Sequence, residues 1–90
     1  MVIWKFPLKP GLLQQTILAP YGTVFLTAQI QGRSDIVLWG EVWSDNRDVL
    51  KTYIVHVYMT GEEIKDLQGK YLSTVQLPSG LVAHIYVEGI

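Results

Sequence analysis

The hydrophobic positions of this chain recur with a period of two. Val2, Trp4, Phe6 and Leu8 alternate with Ile3, Lys5 and Pro7, and a strand turns those two sets to opposite faces. Pro7 and Pro10 predict a short or edge position, because proline gives no donor to a ladder. Residues 14–19 predict a second short strand, favoured by Thr16 and Ile17, and Pro20-Tyr21-Gly22 punctuates it as a turn. Residues 23–31 predict a third. Its apolar face carries Val24, Leu26, Ala28 and Ile30; Thr23, Phe25, Thr27, Gln29 and Gln31 lie opposite. After a turn at Gly32-Arg33-Ser34-Asp35, residues 36–43 put Ile36, Leu38 and Val42 on one face. Val37, Trp39, Glu41 and Trp43 share the other.

Ser44-Asp45-Asn46-Arg47-Asp48 is the most polar stretch and reads as a hairpin loop. The β-branched residues 49–60 are therefore expected to pair back on the strand before them. Tyr53, Val55, Val57 and Met59 line one face of that strand; Thr52, Ile54, His56 and Tyr58 line the other. Glu62 to Leu67 predict at most one short helical turn, with carboxylates at the dipole-favoured start, too short to be stable alone. Residues 71–77 and 81–88 make a closing hairpin around Pro78-Ser79-Gly80. In its last strand Leu81, Ala83, Ile85 and Val87 oppose Val82, His84, Tyr86 and Glu88. About seven mostly antiparallel strands with short turns predict an all-β fold, a small sandwich or partly open barrel, with residues 1–90 as a single domain.

Composition narrows what such a fold can hold. At 90 residues and 10.2 kDa, folding buries about 64% of the unfolded surface, enough for one thin core. Hydrophobic residues are 49% and charged residues 17%, which excludes disorder. Seven basic against eight acidic side chains leave a net charge of −1, which argues against a nucleic-acid polymer as partner. There is no cysteine, hence no disulfide frame and no thiolate metal site. No apolar run reaches the length of a membrane helix, and the first residues lack the pattern of a signal peptide. These features fit a cytoplasmic protein with no membrane association. Three Trp, five Tyr and two Phe are more than a thin core can hold. That surplus predicts a homo-oligomer.

The candidate chemistry is sparse. The chain has no phosphate loop, no nucleophile elbow and no zinc-protease motif. An acid–base or metal cluster would have to gather His56, His84, Glu41 and Glu88 across strands, and no spacing supports it. The sequence therefore predicts no enzyme, no catalytic residue, no metal and no cofactor. Trp39, Glu41 and Trp43 share a face, so two rings flank a carboxylate. Either that face packs a second sheet, or it is an exposed patch that meets a partner. His84, Tyr86 and Glu88 repeat the arrangement on the last strand and suit a subunit contact or a stacked planar ligand. Trp39, Glu41, Trp43, His84 and Tyr86 are thus the candidate ligand- or partner-binding residues. For a small anionic ligand, Arg33, Arg47 and Lys51 are the candidate phosphate contacts.

Several landmarks keep their order along the chain. They are Ile3-Trp4-Lys5-Phe6-x-Leu8, Ile17-x-x-Pro20-x-Gly22, Leu26-x-x-Gln29-x-Gln31 and Leu38-Trp39-Gly40-Glu41-Val42. Thr60-Gly61-x-x-Ile64, Tyr71-Leu72-x-Thr74-x-Gln76-Leu77 and Gly80-Leu81-Val82-x-His84-Ile85-Tyr86-Val87-Glu88 follow. In these the chain resembles an uncharacterised family of short proteins from tailed bacteriophages, prophages and some bacteria. Members often carry Gly-His-Pro-Ile where Gly61-Glu62-Glu63-Ile64 stands here. The resemblance implies a phage or mobile-element origin, life in the host cytoplasm, and no catalytic residues to carry over. By context it implies an accessory factor that binds a host protein or sequesters a ligand in host takeover or anti-defence. An oligomeric sponge for a nucleotide immune signal and a minor virion or assembly protein are the alternatives.

Overall fold

Alternation of apolar and polar side chains does produce strands along the chain. The computed structural model describes residues 1–43, 45 and 47–89. It contains β1 (Val2–Pro7), β2 (Gln14–Pro20), β3 (Val24–Gln31), β4 (Asp35–Val42), β5 (Leu50–Met59), β6 (Lys70–Gln76) and β7 (Val82–Gly89). All pairings are antiparallel, in a three-stranded sheet β1-β4-β3 and a four-stranded sheet β2-β5-β7-β6. The sheets stack as a sandwich and do not close into a barrel. The molecule measures 41 × 31 × 17 Å, and the short dimension fits two layers about 10 Å apart with their outer side chains. Its surface of 5796 Å² exceeds the roughly 5,300 Å² expected for this mass, because a thin slab exposes both faces.

The core fills the space between the layers. Phe6, Leu38, Val42 and Ala28 come from one sheet; Tyr53, Val55, Val57, Val75, Ala83 and Ile85 come from the other. Gly40 lies in the middle of this surface, opposite Trp4 and Phe25. A Cβ there would come within 2.8 Å of the Thr23 methyl and 3.2 Å of the Phe6 ring, so only hydrogen lets the rings close over β4. Along one long side the sheets also touch through polar groups. The buried Ser73 hydroxyl of β6 donates to the Ala28 carbonyl of β3 at 2.7 Å.

Two sequence expectations are corrected. First, residues 49–60 do not pair back on residues 36–43. β4 pairs with β1 and β3, whereas β5 pairs with β2 and β7, so the connection between them crosses from one layer to the other. Within that polar stretch, Ser44 and Asn46 lie outside the described residues. Second, β3 carries a bulge between Phe25 and Thr27. One extra residue reverses the alternation. Thr23 and Phe25 therefore face inward at its start, Ala28 and Ile30 farther on, and Val24 and Leu26 stay exposed. Phe25 packs edge-on between Phe6 and Tyr53, with centroids 5.5 and 5.1 Å away. Residues 62–67, for which the sequence allows at most one helical turn, form none. The Glu62 carboxylate instead accepts from the Met59 amide at 3.0 Å, while the Glu62 amide donates to the Met59 carbonyl at 3.1 Å. Gly61, at φ +90°, makes that tight reversal possible.

Candidate binding surfaces

Each sheet turns one face outward, and the two outward faces differ. On the three-stranded sheet the register builds cross-strand rows: Ile3, Glu41 and Val24; Lys5, Trp39 and Thr27; Pro7, Val37 and Gln29. The Lys5 ammonium donates to the Gln31 amide oxygen at 3.2 Å. Lys5 is opposite Trp39 and Gln31 opposite Asp35, so the lysine stem passes over Val37, which lies between them on β4 and is only 2% exposed. Long basic side chains often cover apolar surface in this way. The rest of the face is open. Ile3, Val24, Leu26 and Trp43 are 45–53% exposed, Trp39 and Glu41 are half-buried, and no second layer covers them. Trp39 thus faces outward and not into the sandwich. Among the described residues no cation pairs with the Glu41 carboxylate.

On the four-stranded sheet the outward residues form a checkerboard. His56 of β5 is opposite Tyr86 of β7, and Tyr58 is opposite His84. His56 stacks on Tyr58 with centroids 6.2 Å apart and planes inclined by 6°. Tyr86 meets Tyr58 and Tyr71 edge-on at 5.4 and 5.6 Å, favourable aromatic geometries. Polar atoms on this face satisfy one another. His56 Nε2 lies 3.1 Å from Glu88 Oε1. The His84 nitrogens meet the Thr60 and Thr74 hydroxyls at 2.8 and 3.0 Å, and the Thr74 and Tyr71 hydroxyls are 2.8 Å apart. The Gln68 amide donates to the Tyr58 hydroxyl at 3.2 Å, which fastens the loop after β5 against the ring. His56 is left 5% exposed.

The sequence-predicted residues therefore separate. His84, Tyr86, Glu88 and His56 come together, while Trp39, Glu41 and Trp43 belong to the opposite outer surface. Glu41 cannot join the two histidines, because the two sheets face away from each other. Among the described residues no group of three His, Asp or Glu side chains is placed to hold a metal ion. The basic candidates also diverge. Arg33 is in the turn before β4 and Arg47 follows its end, so about 23 Å of strand separates them. Lys51 is on β5, its ammonium 5.7 Å from the Tyr21 ring centre and 5.3 Å from that of Tyr53. Burial pushes the Tyr53 hydroxyl above the ordinary tyrosine range. The neighbouring Tyr21 adds to that rise, and a hydrogen bond with the Gly22 backbone opposes it.

Two recesses were not anticipated. One, of about 700 Å³, opens beside Phe25, Tyr53, Lys70 and Tyr71. The other, of about 500 Å³, lies at the sandwich end where the β1–β2 connection meets the β3–β4 and β6–β7 turns. The one sequence signal for it is Leu12-Leu13 after Pro10-Gly11, two large apolar residues in a connection that should be polar.

Residues 1–89 match the family described as Domain of unknown function (DUF7352). Neither the curated proteins nor the solved structures yield a match. An uncharacterised family of about this length is what the ordered landmarks led us to expect.

Proposed function

This chain belongs to the DUF7352 family, and we propose that it is a non-enzymatic binding protein acting as a homo-oligomer. Its self-contact is the outer face of the three-stranded sheet. The observation carrying this reading is the half-exposed apolar group Ile3, Val24, Leu26 and Trp43 around Trp39. Such contiguous apolar surface on a small protein marks an interaction site. A second copy is the occupant that the charges favour. In a two-fold contact residue i meets j and j meets i, so a docking that brings Lys5 of one copy to Glu41 of the other forms that ion pair twice. The two side chains are on neighbouring rows of this face.

The ordered landmarks support a phage-type accessory role in the host cytoplasm, in which the oligomer binds a host protein or sequesters a ligand. Native mass spectrometry of the purified protein and of complexes captured from host lysate tests the reading. Dimers or higher multiples support it; a strict monomer at micromolar concentration contradicts it.

A second reading, sequestration of a nucleotide, draws on the recess where Tyr53, Tyr71 and Phe25 meet Lys70. Aromatic rings stack nucleobases and lysine meets phosphate. A ligand bound only by the folded state must raise the melting temperature. A nucleotide screen without any thermal shift removes this reading.

A further inference from the structure

We propose that the recess at the sandwich end binds a single-chain anionic amphiphile, its tail between the sheets and its head group on Lys9. The site is separate from the self-contact face and does not depend on it. Its volume of about 500 Å³ lies inside the range of small-molecule sites, roughly 300–1,000 Å³. Its depth is apolar. Val57 and Met59 of β5, Ala83 of β7 and Leu8 line it, and Val57, Ala83 and Leu8 are core residues. A tail entering here thus extends the core rather than crossing a polar surface.

The wall on the β1–β2 side is built and held. The Lys9 amide donates to the Gln15 side-chain oxygen at 2.9 Å, and the Gln15 side-chain amide donates to the Lys9 carbonyl at 3.1 Å. This reciprocal clamp fixes the connection across its own base. Gly11, at φ +77° with open space around its missing Cβ, takes the chain round to Leu12 and Leu13. Those two leucines line the recess yet stay 45% and 59% exposed. An occupant would cover them.

Charge selects the head group. Lys9 is the sole formally charged residue among those lining the recess, which include no carboxylate. Ser34 and Ser79 supply the remaining side-chain hydroxyls at the mouth. One cation, two hydroxyls and an apolar interior complement a carboxylate or sulfate on an unbranched chain. They disfavour a cationic amphiphile, whose head would meet Lys9 with like charge.

Decanoate, titrated below its micelle threshold into isotope-labelled protein, is the test. Saturable amide shifts are expected at Val57, Met59 and Ala83, with Ile3 and Glu41 unmoved. Lys9→Gln should weaken decanoate by roughly fivefold, the scale of an exposed ion pair, and leave decanol unchanged. Ser34→Trp, on an exposed turn, should block both ligands while the melting temperature holds. The proposal is overturned by absence of saturable shifts, by decylammonium binding as tightly as decanoate, or by a Lys9→Gln protein that binds decanoate as the parent does. None of these results bears on oligomeric state, so this site and the self-contact face stand or fall separately.

Discussion

The two outer faces of the sandwich present nearly the same sequence pattern and behave as opposites. Trp39-x-Glu41-x-Trp43 and His84-x-Tyr86-x-Glu88 each set two rings and one carboxylate on a single face. On the four-stranded sheet, rings and polar atoms find partners within the chain, and His56 ends up almost fully covered. On the three-stranded sheet the carboxylate meets no cation among the described residues, and the apolar side chains around it stay half exposed. The difference comes from the neighbouring strands. β6, β7 and the loop fastened through Gln68 bring complementary hydroxyls and rings to one face. β1 and β3 bring Ile3, Val24 and Leu26 to the other. The cluster around Tyr86 is closed by its own chain, although Leu18 and Leu50 on the β2 side of that face stay 61% and 56% exposed; the apolar group around Trp39 has no comparable set of partners among the described residues.

Changes on the closed face should therefore cost folding stability, whereas changes on the open face should cost association. The largest effect is expected from Gly69→Ala, at the end of the loop that closes over the four-stranded sheet. Gly69 has φ +81°, and a Cβ there would stand 2.8 Å from the Val87 backbone. Strain and overlap together should cost about 3 kcal/mol in chemical denaturation; an unchanged midpoint would show that the loop does not need this approach. His56→Ala should cost about 2 kcal/mol, because it empties a buried ring position and strips Glu88 of its partner. A loss below about 0.5 kcal/mol would mean that this face is no more closed than the other.

Tyr53 gives a pH-dependent contrast from inside the core. Its hydroxyl titrates higher in the folded chain than the ordinary 10.0, chiefly because it is buried. The unfolded chain therefore releases that proton first. The stabilising contribution is complete below the ordinary value and is lost as pH rises through the folded one. Comparing unfolding midpoints at about pH 9 and about pH 11, Tyr53→Phe should lose less stability than the parent. Equal losses would assign the alkaline sensitivity to other groups.

The sequence made several of these elements readable and hid others for definite reasons. Turn chemistry identified both hairpins, at Gly32-Arg33-Ser34 and at Pro78-Ser79-Gly80, because few residues fit those bends. Alternation identified the inward faces of β5 and β7 residue by residue. It specifies a face and not a partner, so a polar stretch between two strands reads as a hairpin even where, as from β4 to β5, the chain crosses to the other sheet. A bulge adds one residue without any compositional mark, so strict alternation groups Val24 and Leu26 with Ala28 and Ile30 and sets Phe25 opposite them. The pairing of His56 with Glu88 and the separation of Glu41 from both depend on which strand joins which sheet. That is a long-range property that no local spacing encodes. The recess at Lys9 was hidden for the same reason, since it is assembled from three loops distant in sequence.

The smallest effect on folding and the largest on assembly should come from Ile3→Lys. Ile3 is exposed on the edge strand of the open face, so the dilute chain should change by no more than about 0.5 kcal/mol. Sedimentation velocity of the parent and Ile3→Lys proteins at matched concentration addresses the central claim most directly. An oligomeric parent and a monomeric, fully folded variant are expected. A monomeric parent, or a variant that sediments with the parent's mass, would contradict that claim.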